Sequence, residues 1–281
     1  MAAKPYLSVC GIFWNEGPYL REWIEFHRLV GVEHFFLYNN RSTDNHREVL
    51  APFVEEGFVE VHDWDVFPGQ LQAYDDCLER HREDSRWIAF IDCDEFLFSP
   101  LGRPLPEIVG EFEEFPAVAA HWATFGDSGH DTKPPGLVIE NYTMRSDDMT
   151  RNWAVKSIVD PVKTVRCGGN PHFFKYVDDA LIVNENHELL KGVKGGHKWP
   201  HISWDIAWDR LRLNHYVTKS KEERAAKLAR PVAFNGKMKN AAKVMERDKE
   251  IDQVRDETIL MYLPALKEAL GRLPAPAGHS Q

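Results

Sequence analysis

Between residues 6 and 92 the chain alternates compact apolar runs with amphipathic segments of helical period, and it does so three times over. "YLSVCGIF" (6–13), "VEHFFLYNN" (32–40), "FVEVHDW" (58–64) and "RWIAFID" (86–92) are short and rich in β-branched and aromatic residues, as strands are. Between them lie "NEGPYLREWIEFHRLVG" (15–31), "DNHREVLAPFVEEG" (44–57) and "GQLQAYDDCLERHRED" (69–84). In the first of these Leu20, Trp23, Ile24 and His27 recur at helical spacing. Pro18 suits a first turn and Gly31 a C-terminal stop. Pro52 is expected to interrupt or bend the second helix. Strand–helix–strand repeated in this way predicts an α/β fold, a parallel sheet with helices on its faces and right-handed crossovers. Ligands of such sheets bind beyond the carboxyl ends of the strands. Asn15-Glu16, Asn39-Asn40, Asp63 with Asp65, and Asp92 with Asp94 all fall there and should converge on one edge.

The second half is less regular. Residues 101–116 predict one short helix and 117–126 a strand, and "DSGHDTKPPG" (127–136) reads as a loop. Residues 137–145 and 154–161 alternate like strands, and 167–176 is a turn into an extended piece. Residues 220–230 and 246–272 read as helices, followed by a frayed tail. With no strong linker and no repeat, the expectation is one domain. Residues 6–100 would form one half, 101–245 an elaborated second half, and 246–281 a helix and tail.

A chain of 281 residues that is 43% hydrophobic can bury a full core. The formal charge of −10 argues against a nucleic-acid partner, though a few well-placed Lys and Arg side chains suffice for a phosphate pocket. Cys10, Cys77, Cys93 and Cys167 are scattered, which reads as buried free thiols in a reducing compartment rather than a cysteine–zinc cluster. The first residues lack a basic region followed by a long apolar one, and no run of 18 apolar residues occurs. A cytoplasmic location is the resulting expectation. Any membrane contact would be peripheral and through an acceptor.

In "WIAFIDCDEFLFSP" (87–100) an apolar strand delivers Asp92 and Asp94 to one small volume. Such oxygens suit Mg²⁺ or Mn²⁺, which bind through one or two carboxylates together with substrate phosphates. A solvated acidic turn is the plain alternative.

The blocks "NEGPYLREWIEFHRLVGVEHFFLYNNRSTDN", "QLQAYDDCL", "WIAFIDCDEFL", "HWATFGDSGH" and "LNHYVTKSKEE", in this order over roughly residues 7 to 230, resemble glycosyltransferase family 92 and family-2-like enzymes. The resemblance implies a GT-A fold: a Rossmann-like mixed, mainly parallel sheet flanked by helices. Its first half would bind a nucleotide and its second half an acceptor. It implies a nucleotide-sugar donor, often a UDP-sugar, with a glycan or other hydroxyl as acceptor. It also implies Mn²⁺ or Mg²⁺ held by the D-x-D motif, here Asp92 and Asp94, with His215 of "NHYVTKS" completing the site.

Individual residues keep alternatives. Asn15 and Glu16 can meet a base or ribose, or cap the first helix. Asn39, Asn40 and Asp44 can contact uracil and ribose, with Asp44 equally suited to cap the next helix. Gln70 and Asp76 lie on the third helix, where either can face the nucleotide. Lys219 can pair with a diphosphate, and His172 rivals His215 as third ligand. Inversion, which the resemblance favours, needs a carboxylate base. Asp127 is the candidate, ahead of Asp131, Glu140 and Asp205. The glycine-rich, basic tract "KGVKGGHKWPHISWD" (191–205) reads as a lid or as a surface loop. Two further hypotheses stand beside the transferase. One is a nucleotide-sugar-binding domain without activity. The other is a nucleotidyltransferase, against which the acidic, glycine-poor "FWNEGPYL" argues.

Overall fold

The computed structural model describes residues 4–190 and 205–273, together with the backbone of 193–194 and 197–198. The tract proposed as a lid lies almost wholly outside the described residues. The first half follows the predicted order: β1 (Leu7–Phe13), α1 (Gly17–Leu29), β2 (His34–Asn39), α2 (His46–Glu55), β3 (Val59–Asp63), α3 (Gln70–His81) and β4 (Trp87–Phe90). β1 pairs in parallel with β2 and β4, and β2 with β3. After β5 (Glu95–Phe98) comes the expected short helix α4 (Leu105–Val109), and β5, β6 (Ala117–Thr124), β7 (Val155–Val159) and β8 (Arg212–His215) extend the same sheet, in the order β3-β2-β1-β4-β7-β6-β8-β5. β7 runs antiparallel to both β4 and β6, β8 parallel to β6, and β5 antiparallel to β8. The expected fold class, a mixed and mainly parallel sheet flanked by helices, is the observed one.

Period-2 alternation sorts the core. Leu7, Val9 and Phe13 of β1 and Phe35 and Leu37 of β2 join one apolar cluster with α1 and α2. Cys10 and Ile12, with Phe36 and Tyr38, join a second cluster with α3 on the opposite face. Strands buried on both sides read as near-continuous apolar runs for this reason. Gly31 closes α1 at φ +103°, and a Cβ there would stand 2.6 Å from Pro106 Cδ.

The sheet must curl. Flat, it would separate β4 from β5 by about 19 Å, four steps of about 4.8 Å. Residues 91–94 make the connection, and five Cα steps reach at most about 17 Å even when extended. The link is shorter than that, because Glu95 N donates to Asp92 O across a turn (2.9 Å). The edge strand β5 is thereby drawn back toward β4, in the middle of the order, around residues 92–95.

Three expectations are corrected. In place of a strand over 137–145 there is a helical turn, Val138–Asn141, with only Met144–Arg145 extended. The cause is distant: the Glu22 carboxylate of α1 accepts from Val138 N (2.8 Å) and Ile139 N (3.1 Å), as a helix cap would. In place of one helix over 246–272 there are α6 (Ala241–Asp248), the short strand Val254–Arg255, a 3₁₀ turn (Thr258–Tyr262) and α7 (Leu263–Arg272). Asp256 is held by Arg145 and Arg212, which pulls this segment off a helical path to pair with Met144–Arg145. Pro52 sits inside α2, which continues through it to Glu55. α5 (Lys221–Leu228) forms as expected, with a capping box from Ser220 and Glu223. Among the described residues, no helix is long and apolar enough to cross a membrane. All four cysteines are buried and free.

Candidate active site

The carboxyl ends of β1, β4, β6 and β8 and the start of β5 meet at a cleft of about 280 Å³. Its lining includes Trp14, Glu16, Gln70, Asp92, Asp94 and His215. The β4–β5 turn supplies the acids because β5 must begin where β4 ends. Asp92 Oδ1 accepts from Gln70 Nε2 (2.7 Å) and Oδ2 from Lys156 Nζ (2.9 Å). Lys156, at the start of β7, is buried and also lies 3.5 Å from Glu95 Oε2. Burial alone would raise the pKa of Asp92, but the Lys156 ammonium and its hydrogen bond outweigh it, and the net shift is downward. Glu95 is fully buried, accepts from Trp122 Nε1 (2.7 Å) and from Asp92 N (2.7 Å), and is pushed up to about 8 by desolvation.

Asp94 faces the other way. Its Oδ2 meets the ammonium of Lys227 from α5 and lies 3.6 Å from His215 Nε2. Desolvation opposes its charge, yet Lys227 and His215 together hold its pKa well below the usual carboxylate range. His215 is buried against Trp122, with ring centroids 4.1 Å apart, and desolvation lowers its pKa. Among the described residues its Nδ1 has no hydrogen-bond partner.

This geometry fits a divalent cation at Asp94 and His215. Two ligands about 2.1 Å from one ion and roughly at right angles or wider stand about 3–3.6 Å apart. Asp94 Oδ2 and His215 Nε2 meet that separation (3.6 Å), and burial of the imidazole disfavours its protonated form, leaving the neutral form that ligates favoured. A cation, the Lys227 ammonium, already rests at the carboxylate. Asp92 differs, since both of its oxygens are engaged by Gln70 and Lys156. His172 lines the cleft against Trp122, its Nδ1 bonded to Val155 O (2.9 Å).

The other sequence candidates divide between cleft and scaffold. Glu16 lines the cleft and pairs with Lys219 (3.3 Å), whose ammonium also lies 3.2 Å from the centre of the Tyr19 ring. Glu16 makes no side-chain cap to α1. Asn15 turns to the loop after β2, accepting from Thr43 N (2.7 Å). Asp44 accepts from Gly17 N (2.7 Å), at the start of α1, and from His46 N (3.3 Å), at the start of α2. Asn39 binds Asp63, and Asn40 donates to Trp64 O and Val66 O, so both fix the loops after β2 and β3. Asp76 is taken by Tyr38 and Arg80 away from the cleft. Asp127 accepts from Gly129 N (2.8 Å), interacts with Asp252, and does not line the cleft. Asp131 pairs with Lys221 and Glu140 with Lys267, and neither they nor Asp205 line it.

Lys219 does not itself line the cleft, and sequence reasoning missed the cations that do, together with Lys156 beneath them. Lys156 was legible as a lone charge inside the apolar strand "AVKSIV". Lys227 lay in a helix that reads as solvent-facing, and Arg224, Arg230 and Lys239 also line the cleft. Arg224 is held by Asp248 (2.7 Å), and Arg230 donates to Trp14 O (2.6 Å).

The model of the family described as "Glycosyltransferase family 92" matches residues 5–227. A glycosyltransferase family 92 protein of Arabidopsis thaliana is 32% identical over 242 residues, covering 82% of this chain and 38% of the relative. A galactan β-1,4-galactosyltransferase of the same plant is 35% identical over 119 residues, 38% of this chain and 23% of the relative. The chain thus spans well under half the length of these relatives. Among solved structures, S. aureus TarS (residues 1–349) is similar at 13% identity and a TM-score of 0.41, covering 85% of this chain and 68% of that one. With the family model matching most of its length, from the first strand to α5, the chain belongs to glycosyltransferase family 92.

Proposed function

We propose that this chain is a metal-dependent glycosyltransferase domain. It would move a hexose from a nucleotide sugar, a UDP-sugar, to a glycan or other hydroxyl acceptor with inversion. The observation that carries this is the Asp94–His215 pair at the end of β4 and β8, set in a cleft whose wall is cationic. Family membership, and the galactosyltransferase name borne by one relative, support the hexose and the glycan acceptor.

Asp94 and His215 would hold Mn²⁺ or Mg²⁺. When bound, such an ion neutralises a diphosphate and stabilises it as a leaving group. Lys227, Arg224 and Lys239 offer further positive charge to the phosphates from the same side. Lys156 fixes Asp92 and Glu95 and keeps the turn in shape from beneath. Trp14 and Trp122 give the cleft apolar walls, against which a sugar or base can pack and exclude water. Glu16 and Gln70 are the donor-side polar groups that reach the cleft.

Calorimetry with UDP-, GDP- and TDP-sugars, with and without Mn²⁺, tests the proposal alongside a transfer assay. Metal-dependent UDP-sugar binding should disappear in Asp94→Asn while the far-UV spectrum is unchanged. Equal affinity in wild type and Asp94→Asn sinks the site. Binding without transfer or donor hydrolysis turns the chain into a nucleotide-sugar-binding domain.

A further inference from the structure

A second group of potential ligands lies outside the cleft, on the edge strand. Glu60 and His62 are two residues apart on β3, so their side chains leave the same face. His81, in the last turn of α3, comes down over that face. One ligand atom from each of the three lies within 4.8 Å of the other two.

Both imidazoles are clamped. His81 is 6% exposed and stacks on Phe36 with centroids 3.9 Å apart and planes 15° from parallel. His62 stacks on Tyr38 at 4.9 Å and 28°. His81 Nδ1 bonds Asp84 Oδ2 (2.9 Å); with the proton on Nδ1, the lone pair is left on Nε2. That Nε2 is buried and has no hydrogen-bond partner among the described residues. His62 Nε2 is also buried without one, although Glu60 Oε1 stands 3.2 Å away out of alignment. Two buried ring nitrogens without partners in one place are costly unless something satisfies them, and at His81 Nε2 that something must accept a lone pair. A histidine oriented by a carboxylate behind it is the usual support of a metal ligand. The neighbouring Arg80 is drawn off by Asp76 (2.8 Å).

We propose that Glu60, His62 and His81 form a site for a borderline divalent transition ion, zinc foremost, with a fourth position left to water. Imidazole and carboxylate ligands about 2.0–2.2 Å from zinc in tetrahedral array stand about 3.4 Å apart. The Glu60–His62 separation of 3.2 Å meets this. The three ligand atoms lie within 4.8 Å of one another, at most about 1.4 Å wider than that array, and the exposed Glu60 side chain can turn to close the gap with only slight shifts of the imidazoles within their stacks. The ion pins the edge strand β3 to the C-terminal end of α3, whose first residue, Gln70, holds Asp92.

The test uses the whole chain, stripped with chelator and titrated with Zn²⁺ against a chromophoric competitor, with Co²⁺ as an optical probe of tetrahedral geometry. One tight zinc equivalent is expected in wild type and in Asp94→Asn. His62→Gln and Glu60→Gln, whose partly exposed positions spare the fold, should each weaken it by about 100-fold. Zinc should raise Tm in wild type but not in His62→Gln. The proposal is overturned if wild type takes up no zinc in competition. It is equally overturned if the bound equivalent is indifferent to both substitutions while circular dichroism shows them folded.

Discussion

Replacing Asp256 by Asn tests how the C-terminal segment is fastened to the sheet. The Asp256 Oδ2 accepts from Arg145 Nε (2.8 Å) and Arg212 Nη2 (2.8 Å), and its Oδ1 from Thr258 N (3.1 Å). Arg212 is 4% exposed, so the substitution strands a guanidinium in the core. Breaking a buried pair by removing one partner costs about 3–5 kcal/mol. Asn retains one acceptor, which places the expected loss near about 3 kcal/mol. For a chain of this size that lowers Tm by about 6–12 °C. The pH dependence follows from the sign of the shift. Desolvation opposes the Asp256 charge, but the two arginines outweigh it and depress its pKa far below the unfolded value of about 3.9. The wild-type advantage is therefore complete above about pH 4 and is lost as pH falls toward the depressed folded value. Urea melts of both proteins at pH 7 and pH 3 measure this. Hydrogen exchange should show Val254–Arg255 and Met144–Arg145 opening before the main sheet. A loss below about 1 kcal/mol at pH 7, or one that persists undiminished at pH 3, would refute the assignment of this strap to the charge cluster.

Two further outcomes are expected at the cleft. Lys227→Met removes the ammonium resting on Asp94, so Mn²⁺ titrated without nucleotide should bind about tenfold tighter; unchanged or weaker ion affinity contradicts competition at that carboxylate. Asp127→Asn should retain transfer within a few-fold of wild type, because the residue lies off the cleft lining; a loss of several hundredfold would restore it as the base.

What could be read beforehand followed from local rules. Period-2 and period-3.6 patterns identify β1 to β4 and the helices between them, because each buries a face against its immediate neighbours. The acids of the D-x-D turn were legible because a strand end in a parallel sheet has a defined destination. Features set by distant partners were not. Nothing near 138 announces that Glu22 will cap it, and nothing near 256 announces two arginines from elsewhere. Asn39 and Asn40 looked like ligand contacts because they sit at a strand end, yet their amides are consumed by the neighbouring loop. Lys227 looked solvent-facing because the return of α5 over the β4 end is a tertiary event.

The four-residue bridge from β4 to β5 is a short tether, folded back on itself by the bond from Glu95 N to Asp92 O. Lengthening it by one residue would widen the reach it permits between the two strands by about 3.5 Å. Asp94 would then drift from His215, its partner across the seam. Elsewhere the chain has slack for insertions in exposed loops, but here length itself is a functional parameter. A one-residue insertion between the two strands should therefore disturb the site more than a small, volume-conserving change at the buried Cys93.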